Sequence, residues 1–267
     1  MIQIHGIKIL LFSCGINMVR YKKIISRLGN KEQDIKHFKH LLPTDVKTVV
    51  EPFGGSFAVI KHFYKDCSKY KFHINDTDES LFYMFRNYQY VLNITHALSD
   101  MYYEHFYKKH CEFKKLFDYL ELKPAVRTYI CKTNFIRGNI FKCPKFYDRY
   151  NPIEKEILDI ALFTNLDYGE IFEQYKDDPD AFVFLDPPYL FSDNSNYASQ
   201  IRESDMTQMI VDILEYLKIC RCKVLLIINK LNILSYLFKD YIKGEYHKIY
   251  QISKKKSMHL LISNYDI

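Results

Sequence analysis

Nine residues, Ala181 to Tyr189, constrain this chain more than any other stretch. They read Ala-Phe-Val-Phe-Leu-Asp-Pro-Pro-Tyr. An apolar run without alternation predicts a strand buried on both faces of a parallel sheet. Proline has no N–H to donate and cannot continue a central strand, so the strand is expected to stop at Asp186. Open α/β sheets bind ligands just past the carboxyl ends of their strands. The run therefore sets a carboxylate, a rigid turn and an aromatic ring where chemistry is expected. An ordinary strand end followed by a proline turn has the same local pattern, so the rest of the chain must supply the other half of a site.

Further α/β units lie on both sides. Thr48-Val49-Val50 reads as a strand running into Glu51-Pro52-Phe53-Gly54-Gly55-Ser56, with a helix opening at Phe57-Ala58-Val59-Ile60. A strand, a Gly-bearing turn and a helix bring backbone N–H groups close to a ligand. Tyr70–Ile74 is a second strand, followed by Asn75-Asp76-Thr77-Asp78 and a helix from Leu81. Asp76 falls about 20 residues after the glycines, where an acidic residue holds a ribose hydroxyl pair. Asp76 and Asp78 also both suit a helix N-cap, so one can cap while the other binds. Glu154–Ala161 leads as helix or strand into Leu162–Asn165, which ends at Asp167-Tyr168. Thr207–Ile219 is an amphipathic helix and Lys223–Asn229 another buried strand. Tyr246–Ile252 and His259–Ser263 form a closing antiparallel pair around a lysine-rich turn, Ser253–Ser257. A polar helical stretch reaches Leu42 from Arg20-Tyr21-Lys22-Lys23.

The α/β rhythm fails between residues 89 and 150. Within that span Arg137, Asn139, Lys142, Lys145 and Arg149 are interleaved with Phe and Tyr around a Gly-Asn turn, which reads as a hairpin. Basic and aromatic side chains together suit phosphate contact and base stacking. A solvated hairpin packed by its own aromatics has the same pattern. The net charge of +6 permits an acidic partner without requiring one. Seven scattered cysteines, an odd number with no Cys-x-x-Cys, argue against a disulfide framework and for a reducing compartment, cytoplasmic or nuclear. No metal-binding spacing is present. No apolar run reaches the length of a membrane span, and the Ile7–Phe12 patch is too short for a signal-peptide core. Residues before Met18 are expected to be an N-terminal extension.

Taken in order, Glu51–Gly55, Asn75–Asp78, the basic-aromatic insertion, Asp186-Pro187-Pro188-Tyr189 and Leu260–Tyr265 resemble the Dam-type (D12) class of DNA adenine-N6 methyltransferases. The likeness covers roughly Arg20 to Tyr265. It implies a Rossmann-like class I methyltransferase fold: a seven-stranded, mostly parallel sheet. Residues 1–88 and 151–267 would form the catalytic domain, and 89–150 an inserted target-recognition domain. It further implies S-adenosylmethionine as cofactor, double-stranded DNA as partner and a flipped-out target base. By position, Tyr21, Lys23, Glu51, Phe53, Gly54, Gly55, Asp76, Asp167 and Asp186 would serve the cofactor, and Asp186, Pro187, Pro188 and Tyr189 catalysis. Ser192–Tyr197 would form a loop near the flipped base, with Asn196 and Tyr197 among the nucleic-acid contacts. Two positions depart from the family pattern. Tyr21-Lys22-Lys23 lacks the glycines of an aromatic–Gly-Gly-Lys motif, and Phe57 stands where the cofactor turn usually has a further glycine. An RNA adenine or cytosine-N4 methyltransferase, and a catalytically silent DNA-binding relative, are the competing readings; Asp at position 186 favours adenine by resemblance.

Overall fold

The computed structural model describes residues 31–89, 151–189, 203–249 and 256–266. Its strands are β1 (Thr48–Glu51), β2 (Lys71–Asn75), β3 (Leu162–Thr164), β4 (Ala181–Leu185), β5 (Lys223–Asn229), β6 (Ile242–Ile249) and β7 (Lys256–Ser263). They form one seven-stranded sheet in the order β3-β2-β1-β4-β5-β7-β6. From β3 to β5 every pairing is parallel, and β7 is antiparallel to both β5 and β6. This is the α/β architecture that the strand–helix rhythm predicts and the Rossmann-like sheet that the family resemblance implies. The chain reverses its direction of winding between β1 and β4, so a crevice opens at their carboxyl ends. Both Glu51 and Asp186 sit there.

The helices are α1 (Ile35–Phe38), α2 (Ala58–Phe63), α3 (Glu79–Arg86), α4 (Pro152–Ile160), α5 (Tyr168–Tyr175), α6 (Glu203–Ile219) and α7 (Asn232–Leu237). The central strands carry successive side chains to opposite faces, and both faces are covered. Phe182 and Phe184 of β4 join Val49, Ile60, Ile74, Ile157 and Ile227 in one core. Val183 and Leu185 join Val50, Phe172, Ile213, Leu226 and Leu234 in the other. All five residues of β4 are buried, which is why that segment lacks alternation in sequence.

Several expected boundaries move. The residue 154–161 segment is a helix, with Asn151 Oδ1 accepting the Ile153 amide (3.0 Å) and Pro152 in its first turn. The closing hairpin is longer than expected: β6 starts at Ile242 and β7 at Lys256, so one lysine of the expected turn belongs to the ladder. From residue 31 to Leu42, the described part of the expected helical stretch is no single helix. It is α1 between two one-turn 3₁₀ segments, Lys31–Gln33 and Lys39–Leu41. Tertiary contacts hold it in place: Phe38 stacks on Phe184 (5.7 Å), and the Tyr265 hydroxyl donates to the Leu41 carbonyl (2.6 Å).

Candidate active site

The end of β4 delivers Asp186 and Tyr189 to the crevice, with Pro187 buried between them. A residue distant in the chain meets them. Lys31, only 3% exposed, donates from Nζ to Asp186 Oδ1 (2.5 Å) and to the Tyr189 hydroxyl (2.7 Å). The same hydroxyl lies 3.3 Å from Asp186 Oδ1, and Lys31 Nζ sits 5.2 Å from the Tyr189 ring centroid. Burial pulls the Lys31 ammonium below the usual lysine range; the Asp186 carboxylate opposes that fall and the nearby Lys248 ammonium adds to it. Lys248 is itself held by Asp34 Oδ2 at 2.5 Å. The 3₁₀ segment and α1 thus supply one wall of the site and β6 another.

The described residues expected to serve the cofactor lie at the carboxyl ends of β1, β2 and β3, with Asp186 at the end of β4. Glu51 is buried, and its Oε1 accepts the Ile60 amide at 2.7 Å. It thereby caps α2, whose own N-cap position, Phe57, has no side-chain acceptor. Burial pushes the Glu51 carboxyl up to about 8; the neighbouring Asp186 carboxylate adds to the rise, while the Ile60 and Val59 amides and Lys61 oppose it. Gly54 packs directly on β2. Its amide donates to the Asn75 carbonyl (2.7 Å), and a Cβ there would lie 2.4 Å from Ile74 Cγ2 and 2.9 Å from the Asn75 carbonyl oxygen. Gly55 adopts φ +48, a left-handed conformation with open space around it. Phe57 also has positive φ (40°), with ψ 49°. A missing glycine at this position is therefore a real departure: the turn demands a left-handed residue, and burying the whole Phe57 ring compensates.

Asp76 accepts the Gly55 amide on Oδ2 and the Asp78 amide on Oδ1, both at 2.9 Å. It ties the end of β2 to the glycine turn. Asp78 sits at the start of α3, where its carbonyl takes the Leu81 and Phe82 amides. Asp167 caps α5 in a reciprocal capping box with Glu170 and is exposed. Phe53 is half-buried and faces Tyr168 at 5.8 Å. Asn75, which sequence reasoning did not single out, joins all three strand ends. Its Nδ2 donates to the Pro52 and Leu166 carbonyls (3.0 Å each), and its Oδ1 accepts from Thr164 Oγ1 and the Leu166 amide (2.8 Å each).

Tyr21 and Lys23, and the residues expected to contact nucleic acid, Arg137, Asn139, Lys142, Lys145, Arg149, Asn196 and Tyr197, lie outside the described residues. The structure brings together Glu51, Gly54, Gly55, Asp76 and Asp186 along the crevice. Lys31 was missed. The available signal was Gly29-Asn30-Lys31, a small pair ahead of a lysine that comes nearer to Gly-Gly-Lys than Tyr21-Lys22-Lys23 does.

Comparison with known proteins agrees with this geometry. The sequence model of one family, described as D12 class N6 adenine-specific DNA methyltransferase, matches residues 28–258. That span begins after Tyr21 and Lys23 and includes Lys31. The Type II methyltransferase M.CviBI of Paramecium bursaria Chlorella virus NC1A is 26% identical over 277 residues, covering 91% of this chain and 100% of that protein.

Proposed function

The chain belongs to the D12 class of N6 adenine-specific DNA methyltransferases, and from that premise we propose that it methylates the N6 amino group of an adenine flipped out of duplex DNA, with S-adenosylmethionine as donor. The observation that carries this reading is the Asp186 carboxylate at the β1/β4 crevice, clamped by Lys31 and flanked by Tyr189.

The chemistry follows from what the target lacks. An exocyclic amine is a poor nucleophile because its lone pair is delocalised into the ring. Accepting hydrogen bonds from its two N–H groups draws the nitrogen toward a tetrahedral, nucleophilic form. Asp186 is one acceptor and the Pro187 carbonyl, held rigidly by its ring, is the other. Tyr189 offers its ring face to the base; such stacking is worth about 1–3 kcal/mol. A base inside a duplex cannot reach this position, so flipping is part of the reading.

S-adenosylmethionine supplies an electrophilic methyl group when bound. The residues at the carboxyl ends of β1 to β3 fit such a group. The turn at Gly55 presents open backbone: the nearest atom to a Cβ there would be the Phe53 carbonyl oxygen at 3.9 Å. A carboxylate accepts about four hydrogen bonds, so Asp76 can anchor the turn and also hold ribose hydroxyls. Phe53 supplies an apolar wall beside it. Residues 89–150 would carry sequence recognition, with Arg137 and Asn139 reading base edges. Lys142, Lys145 and Arg149 would contact phosphates.

The test is transfer of a labelled methyl group from S-adenosylmethionine to duplex DNA, single-stranded DNA and RNA, followed by nucleoside analysis. N6-methyladenine formed in duplex DNA, and lost in Asp186→Ala, is the expected result. N4-methylcytosine, methylation of RNA alone, or no transfer by the wild-type protein overturns the reading.

A further inference from the structure

One buried side chain beside Tyr189 has no part in the chemistry above. His259 lies in β7, fully buried, directly opposite Asn229 of β5 in the antiparallel ladder. Its imidazole stands between two tyrosines. The Tyr189 ring is 5.2 Å away at 73°, and the Tyr246 ring 5.1 Å away at 66°. His259 Nδ1 is 3.1 Å from the Tyr246 hydroxyl oxygen. That hydroxyl donates toward Asp34 Oδ2 (3.4 Å), the oxygen that also takes Lys248 Nζ. In the tautomer that satisfies both contacts, the Tyr246 hydroxyl donates to Asp34 and His259 carries its proton on Nδ1, donated to the Tyr246 oxygen. The lone pair is then on Nε2.

That Nε2 is one of two buried side-chain polar atoms without a hydrogen-bond partner among the described residues. The other is Asn229 Oδ1, on the cross-strand neighbour that shares its sheet face. A buried acceptor without a donor is costly, and a phenyl ring would fill the same space without that cost. What the imidazole adds over a phenyl ring is its Nδ1 contact with the Tyr246 hydroxyl, which fixes the orientation of the ring. The ring also stays neutral: burial, with the Lys31 and Lys248 ammoniums, pushes it down to about 3.

We propose that His259 is a positioning residue for Tyr189, itself oriented by the Tyr246 hydroxyl and the Asp34 carboxylate. The Tyr189 hydroxyl is held at its tip by Lys31 and Asp186, and those two contacts by themselves do not set the turn of the ring about its long axis. The roughly perpendicular imidazole blocks that rotation and sets which way the ring face points. A base can stack only on a face aimed at it, and small errors of alignment cost rate steeply. The inference rests on Tyr189 being the ring that receives the target base.

The experiment is a double-mutant cycle in single-turnover methyl transfer to duplex DNA, using the full chain with labelled S-adenosylmethionine. In the wild-type background, His259→Leu should slow transfer by about ten-fold or more, with DNA affinity unchanged. In the Tyr189→Ala background the same change should alter the rate by less than about two-fold, because the residue it acts through is gone. His259→Phe, which keeps a ring against Tyr189, should restore most of the rate; it also serves if His259→Leu fails a melting test of folding. Equal losses in both backgrounds, or a His259→Phe rate as low as that of His259→Leu, overturn the positioning role while leaving the methyltransferase reading intact. No transfer by the wild-type protein overturns both.

Discussion

The Lys31 ammonium lies 2.5 Å from Asp186 Oδ1, although 155 positions separate the two residues in the chain. One cation thereby holds two groups of the proposed reaction, since it also donates to the Tyr189 hydroxyl. The arrangement orients an acceptor before the base arrives, which is how preorganised polar groups lower a barrier.

Lys31→Met keeps most of the length of the side chain and removes its charge. Methyl transfer should fall by about 10²-fold while DNA affinity changes little, because the loss is of alignment and not of docking. Steady-state kinetics with labelled cofactor, set beside a DNA-binding titration, reads both quantities. A near-normal turnover would reduce the contact to a structural ion pair.

Asp76→Ala should weaken S-adenosylmethionine binding more than DNA binding. The side chain bridges the glycine turn and the start of α3, so some stability will be lost as well. Calorimetry separates the two effects. Unchanged cofactor affinity in a less stable protein would leave Asp76 as a purely architectural residue.

The two glycines should behave differently. Gly54→Ala forces a methyl group against the β2 backbone and should destabilise by about 1–3 kcal/mol, as overpacking does. Gly55→Ala makes only an ordinary contact, with the Phe53 carbonyl oxygen at 3.9 Å, but keeps φ +48, a left-handed conformation that costs an L-residue roughly 1–2 kcal/mol. Gly54→Ala should also damage cofactor binding, because the turn must move away from β2. Denaturation curves and cofactor titrations of both variants check this; the reverse order for cofactor loss would mean that the turn's conformation matters more than its close approach to β2.

Glu51 makes stability depend on pH. Its folded pKa, about 8, lies above the ordinary carboxylate value, so the folded state binds more protons than the unfolded state between those limits. Its contribution is therefore fully present below about pH 4 and is lost as pH rises toward 8. Glu51→Gln keeps an acceptor for the Ile60 amide and abolishes the titration. Wild type should lose stability relative to this variant between roughly pH 5 and 8, with a slope of at most about 1.4 kcal/mol per pH unit. Parallel curves for the two proteins across that range would contradict the buried, raised carboxyl.

Much of the sheet was legible in the amino-acid order because burial on two faces leaves a mark. β4 and the middle of β5 are apolar at every position, and every one of those positions is buried. Proline after Asp186 marks the strand end, and glycines after Glu51 mark the tight turn against β2. Side-chain pairing between distant segments leaves no such mark. Lys31 reads as a solvated lysine in a polar stretch; the Gly29-Asn30 pair ahead of it hints at the family motif but does not tell a buried ammonium from an exposed one. The docking of Phe38 on Phe184 and of Leu41 on Tyr265 helps carry it to Asp186. The same holds for Asp34 and Lys248, 214 positions apart, and for His259, whose place between two tyrosines follows from the insertion of β7 between β5 and β6. Phe57 is the sharpest case. Nothing near it in sequence favours a left-handed residue; the packing of α2 on the sheet imposes that conformation, and its buried ring offsets the strain. Local composition and periodicity thus determined which segments became the central strands and, at β1 and β4, roughly where they ended. Which charged groups met across the crevice was decided by three-dimensional packing, because hydrogen bonds and ion pairs depend on distance in space and not along the chain.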